Sequence, residues 1–487
     1  MRHTALKTLA GSTQTPAPTG YTYYLPDCEQ LTFDYCYYNG TINGVFVKHI
    51  SPGDTIVFPA GSATWGAGGR RTWITHPITI TGQGDSTVLT IAQDGPRYVN
   101  AAINLWSTCT WSNMKIITVT TAQASAFTSY QYNNSSGQAG GSPNPGINYT
   151  GGGRITNITY EEAAGSSTGY FFYGGNVQSF LIDNCRFTAA AGNSELIFVR
   201  GPSNAWQSDN TLGGANNIFV EDCTFNATGY VNDANSNARM VVRFCTITGP
   251  IKVDGHGLAS NSAPSRGFRC METYHNTWTA NAQSWQAIEI RGGTNMIFNN
   301  TTTTSYGNFF MTDYGYLSTW PNFGNVFQTP TNYPIMDQIG VSKDPKTAAG
   351  EPNYIWGNRF GQTVWRRQTK AVAAGAITLY QSQTGNPSAT FTERDMIRAN
   401  RDFYAEAGFE TNENGAPAEQ QIGGVSIGTK AQMLAFTPPF TKYGWWVTDE
   451  GTWNRKPGGS QGRLYTWNGS SWNVYYEPYT YPHPLRP

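Results

Sequence analysis

The chain has 487 residues, with 31 Lys and Arg against 31 Asp and Glu. That neutrality gives no electrostatic case for a nucleic acid or an anionic membrane as partner. Charged residues are only 13%, while Gly numbers 54 and aromatics reach 14%; this suits a turn-rich extracellular β protein and not a helical enzyme, which needs far more Glu, Lys, Leu and Ala.

Residues 1–20 are polar and Pro-containing, and they read either as a loose tail or as an arm that docks the protein on a larger assembly. The start has no apolar signal core, and no window is long and apolar enough to span a membrane. Extracellular composition without a leader is reconciled by a virion component released by lysis. Leaderless export, or a chain presented without its leader, does so equally well. Seven cysteines form an odd set without a CxxC, which argues against zinc and predicts no metal site. Cys28 and Cys36 are placed for a local disulfide, with two free thiols as the alternative.

Over residues 21–105, Pro-Ala-Gly (Pro59–Gly61) and Gly-Gln-Gly (Gly82–Gly84) punctuate β-rich runs. VKHISPGDTIVFPAGSATW followed by ITHPITITGQGDSTVLTI resembles the opening of right-handed parallel β-helix proteins of the pectate-lyase-like superfamily. The residues that carry the resemblance are Gly53, Asp54, Thr55, Pro59, Ala60, Gly61, Trp65, Ile78, Ile80, Gly82 and Gly84. It implies the fold and not the chemistry, because this fold hosts lyases, hydrolases, epimerases and inert spikes.

Between residues 106 and 215 two polar, Gly-rich insertions, Ser129–Gly153 and Gly201–Asn216, interrupt the coils. Such insertions project from one side of a solenoid and often bind. Trp206 sits in the middle of the second, shaped to stack on a sugar ring or to pack on the coil.

From Asn216 to Asn300 the chain repeats. β-rich runs such as Ile218–Val220 and Met240–Val242 are each followed by a small residue and then Thr. Aligned, Cys185, Cys223, Cys245, Asn276 and Asn300 take one place, at uneven intervals. A strand-plus-turn repeat of elastic length predicts a solenoid of stacked coils. Equivalent side chains then lie over one another. An Asn amide donates and accepts along such a stack, and a free Cys is a small buried group. These five residues are therefore expected to form an internal ladder, with His275 as a turn residue beside it.

Residues 331–400 read as an irregular cap, with Tyr354–Gly361 as one further coil. Residues 401–487 alternate apolar and polar around turn pairs such as Asn468-Gly469, which predicts antiparallel hairpins. WVTDEGTWN with LYTWNGSSW resembles a short module of phage tail proteins. YYEPYTYPHPL resembles the close of a β-helix family of environmental bacteria and phages.

The densest polar set is Asp233, Arg239, Arg243, Asp254, His256, Arg266, Arg269, Glu272, His275, Glu289 and Arg291. The carboxylates of this set are candidates for acid and base in glycosidic cleavage. Arg or His near Asp would suit a β-elimination lyase, with Ca²⁺ neutralising the uronate. Asp254–Leu258 resembles the GHG segment of polygalacturonases, and Arg291 follows where those enzymes have a substrate-binding Arg. The upstream aspartates of that family are missing, which removes its acid and base. The candidate catalytic residues are thus Asp254, His256, Glu272 and Arg291, and the candidate substrate-binding residues are Arg266, Arg269, Trp206 and Asp233. Structural pairing of Arg with carboxylates between coils is the competing reading.

The expected fold is all-β: an N-terminal arm and cap (1–39), a right-handed parallel β-helix solenoid (40–360) and a small β-rich C-terminal region (361–487). The expected function is a phage virion surface protein, a tailspike, fibre or capsid-attached spike that meets a glycan. It would be a homo-oligomer, with a trimer favoured, held to other virion proteins through residues 1–39 and located at the virion surface or outside the cell. The alternatives are a polysaccharide lyase or glycoside hydrolase of acidic polysaccharide, and a self-associating adhesin or filament subunit.

Overall fold

The computed structural model describes residues 20–38, 41–42, 45–46, 50–92, 101–105, 107–119, 125–130, 152–163, 170–175, 179–201, 209–235, 238–255, 268–279, 286–290, 293–302, 308–313, 350–359, 364–369, 400–407 and 423–486. The chain is all-β, a long parallel solenoid with a small mixed sheet at its far end.

Each coil places strands on three faces. The first face begins at Thr22–Tyr24 and Thr55–Val57 and continues through Phe180–Asp183, Ile218–Glu221, Arg239–Arg243, Cys270–Tyr274, Thr294–Phe298 and Asn353–Trp356 to Phe403–Ala405. The second runs from Gly61–Trp65 to Thr301–Thr302. The third runs from Thr72–Ile74 to Val364–Thr369. The stack therefore starts before residue 40 and continues past 360, because Thr22–Tyr24 and Phe403–Ala405 pair as ordinary rungs.

Alternation within each strand explains the arrangement. On the first face Ile182, Val220, Val242, Thr273, Ile297 and Ile355 are register partners and point into the coil. Their neighbours Asp183, Glu221, Arg243, Tyr274, Phe298 and Trp356 are partners too and point out. A single left-handed residue turns the chain from the first face to the second. Asn113, Asn157, Asn184, Asp222, Phe244, His275 and Asn299 hold φ between 52° and 56°. Asn and Asp tolerate that region, whereas Phe244 and His275 adopt it at a steric cost.

The residue after each turn builds the ladder. Cys185, Cys223, Cys245, Asn276 and Asn300 occupy consecutive rungs, and Asn358 adds a sixth. The Asn276 amide donates to Val242 O (2.9 Å) and to Asn300 Oδ1 (3.1 Å), while its oxygen accepts the Cys245 N–H (2.9 Å). The Cys245 thiol lies 3.7 Å from Val220 O, the equivalent carbonyl one coil earlier. Thiol and amide thus fill the same role in successive coils.

A helix, Gln30–Tyr38, caps the first coil. It lowers Phe33 among Phe58, Trp65 and Trp111, at 5.7, 5.4 and 6.1 Å between ring centres. Cys28 and Cys36 are both free thiols, so the expected local disulfide is absent. Cys28 precedes the helix and Cys36 lies in its last turn. The helical rise of 1.5 Å per residue from Gln30 to Cys36 alone comes to roughly 9 Å, more than a disulfide spans.

At the other end the first-face sheet does not stop. Glu406 bridges Val425, and Gly424 N–H donates to Ala405 O at 2.7 Å. Val425–Gly428 then pairs in parallel with Gly444–Val447, and Arg463–Trp467 and Trp472–Tyr476 follow antiparallel. Only the last pair is the expected hairpin, closed around Asn468. The sheet folds back, so that Trp446, Leu464 and Tyr476 pack on the outside of the first face against Tyr274, Met296, Phe298, Tyr354 and Trp356. Tyr274, Phe298 and Trp356 stack at 4.5 Å between rings, and Trp446 covers the last two at 5.1 and 4.9 Å.

Candidate functional site

The polar set of the central coils separates onto two faces. Asp233, Asp254 and Glu289 are register partners on consecutive rungs of the third face. They point away from the apolar interior, in line with Phe198 one rung earlier. Lys252 lies on the same side of its strand as Asp254, being two residues away. Its ammonium pairs with Glu289 and sits 3.6 Å from Asp254. The Tyr230 ring lies 4.5 Å below it. Tyr170, Tyr173 and Phe198 form an aromatic group at the upper end of this row, with Tyr173 and Phe198 stacked at 5.1 Å. All of these side chains are buried except Tyr230, which is half-buried.

Glu272 and Arg269 belong to the first face instead. Glu272 is enclosed by the folded-back sheet: Tyr476 OH donates to it at 2.5 Å and the Gly213 N–H at 2.8 Å. Arg269 is bidentate on Glu351, at 2.9 and 3.1 Å. His256, Arg266, Arg291 and Trp206 lie outside the described residues. Asp254 and Glu272, both expected as catalytic residues of one cluster, thus stand on different faces. Among the described residues no three His, Cys, Asp or Glu side chains are grouped to hold a metal ion, and no helix is long and apolar enough to cross a membrane.

Comparisons with protein-family models, curated proteins and solved structures find no match to this chain. The residues themselves carry the functional reading.

Burial pushes the Glu272 carboxyl up from 4.5 to about 7, against the opposing pull of Tyr476, the Gly213 N–H and Arg243. A raised acid binds its proton more tightly in the folded state. Its contribution is therefore fully present below pH 4.5 and is lost as pH rises through about 7. The shift corresponds to roughly 3 kcal/mol. Glu272→Gln removes the charge, keeps an oxygen to accept the Gly213 N–H and turns an amide N–H donor towards the Tyr476 oxygen. Urea midpoints measured from pH 5 to 8 should fall for the wild type and stay flatter for the variant; equal slopes would remove Glu272 as the cause.

Two groups of residues escaped the sequence reading. Lys252 could have been found from its spacing to Asp254. Asp183, Glu221, Asp222 and Arg486, which meet on the first face, carry no local signal.

Proposed function

We propose that this chain is a surface spike of β-helix fold that contacts glycans, of the kind carried on phage virions at the tail or capsid. The observation that carries the reading is the third-face row, in which the Tyr170, Tyr173 and Phe198 rings stand in line with Asp233, Asp254 and Glu289. Sugar rings offer apolar C–H faces for stacking and hydroxyls that donate to carboxylates. The row is buried, so a glycan enters it only as this face opens. The resemblances of the opening coil to the pectate-lyase-like superfamily and of the closing module to phage tail proteins support the same reading. So does the cap helix over the first coil, which disfavours end-to-end filament growth through that end. On this reading residues 1–39 attach the spike to other virion proteins, and a trimer places copies side by side for avidity.

The test is retention of the purified protein on a panel of bacterial and plant polysaccharides. Phe198→Ala and Asp254→Asn should each weaken the best interaction by about tenfold to a hundredfold. Wild-type protein that binds nothing across the panel, or variants that bind unchanged, would end the proposal.

The carboxylate row also favours a second reading, a glycoside hydrolase. Adjacent rungs are about 4.8 Å apart and alternate rungs about twice that. Asp254 paired with either neighbour thus approaches the separation of retaining enzymes, and Asp233 paired with Glu289 that of inverting ones. Polymer shortening without added Ca²⁺ would favour a hydrolase; shortening that requires Ca²⁺ would favour the lyase.

A further inference from the structure

Residues 479–486 run as a strap up the outside of the first face, ending in a turn in which Arg486 N–H donates to His483 O. Every polar link between this strap and the solenoid uses a side chain. Arg243 donates to Tyr479 O (2.7 Å) and Thr480 O (2.8 Å). The His483 N–H donates to Glu221 Oε1 (3.0 Å), and Arg154 donates to Leu485 O (3.3 Å). Arg486 reaches Glu221 at 3.0 Å, Asp183 at 3.5 Å, and Asp222. Tyr481 OH donates to Asp222 at 2.6 Å, and Lys456 reaches the same carboxylate. Among the described residues the strap makes backbone hydrogen bonds only with the folded-back module and itself, through Trp453, Arg455 and His483. The coils beneath are joined by continuous backbone ladders and by the neutral Asn and Cys column.

We infer that the strap is an acid-released latch, which leaves the first face while the solenoid under it stays folded. Its attachment depends on ionised carboxylates and a neutral imidazole, and the rungs depend on neither. Asp183, Glu221 and Asp222 together hold the Arg486 guanidinium. Protonating His483 breaks the bond its Nδ1 accepts from Leu485 N–H at 3.1 Å. The charged groups that face His483 are Glu221, Arg243, Arg154 and Arg486, with the Phe219 and Tyr479 rings on either side. Burial, with the three guanidinium groups, holds the imidazole down from 6.5 to about 4, against the pull of Glu221. A depressed histidine favours the docked strap above pH 6.5 and loses that contribution as pH falls towards about 4. At tenfold per pH unit, this group alone shifts docking by about two orders of magnitude. Release uncovers the Phe219 ring, which Tyr479 and His483 cover at 5.3 and 4.7 Å between ring centres.

Hydrogen exchange on the full chain, corrected for intrinsic rates, tests this. Between pH 7 and pH 4 the amides of His483, Leu485 and Arg486 should lose protection about a hundredfold, while those of Cys245 and Asn276 keep theirs. Arg486→Gln should bring the loss to pH 7. Strap and ladder amides that lose protection together, or a strap unaffected by Arg486→Gln, would overturn the inference.

Discussion

Arg243→Ala should destabilise the protein by about 3–5 kcal/mol, the range for removing one partner of a buried ion pair. Arg243 is fully buried and makes four kinds of contact. It pairs with Glu221 at 2.6 Å, donates to Tyr274 OH at 2.9 Å, holds two strap carbonyls, and lies 5.0 Å from the Phe219 ring centre and 5.1 Å from that of Tyr481. Alanine removes the partner of Glu221 Oε2, leaving the carboxylate to Arg486 and the His483 N–H on Oε1, and it frees the Tyr479 and Thr480 carbonyls. The cost is therefore mainly that of the orphaned groups, more than that of the lost pair. Arg243→Met with Glu221→Gln removes both charges and keeps most of the volume, so it should recover part of the loss. Urea denaturation followed by tryptophan fluorescence reads all three proteins. A single variant that costs under about 1 kcal/mol would show that water can enter and solvate Glu221.

The second large effect belongs to the ladder. Asn276→Ala should cost about 3 kcal/mol, because it leaves the Cys245 N–H and the Val242 carbonyl buried without partners, at about 1–3 kcal/mol each. Asn276→Cys should cost about half as much, since a thiol at this place meets the equivalent carbonyl, as Cys245 does. Cys223→Ala should be mildest, at about 1 kcal/mol, because it removes a small group from a position that apolar Ile158 fills in an earlier coil. The same denaturation series gives the order. Were Cys223→Ala as damaging as Asn276→Ala, the ladder would be held by packing and not by the amide bonds.

The ladder was legible because its signal is local. A β-rich run, a turn and a Thr recur around Cys223, Cys245, Asn276 and Asn300 whatever the loops between them do. Asn358 was missed because a long insertion separates it from Asn300. The grouping of Asp233, Asp254, Glu272 and Arg269 into one cluster was not supportable from sequence. Equivalent residues of successive coils do share a direction, but a coil has three faces, and assigning a face requires the position of each corner. The pairing of Val425–Gly428 with Gly444–Val447 in parallel was hidden for a related reason. Alternating strands read alike in either direction, and only the Asn468 turn showed which pair was a hairpin. The charge network around Glu221 was invisible because Arg486 lies 265 positions further along the chain.

The strap also acts as a ruler. Before Arg154 a solenoid can change length, since loops leave at the corners and a new coil can pair with those above and below. The stretch from Arg154 to Arg243 is different. An added coil would lengthen it by about 4.8 Å, whereas the strap has a fixed contour of about 3.3 Å per residue. Arg486 and the Leu485 carbonyl would then miss their partners by a full rung. Insertions and deletions of whole coils are therefore compatible with the coils before Arg154. Within the stretch, the number of coils can change only together with the length of the strap.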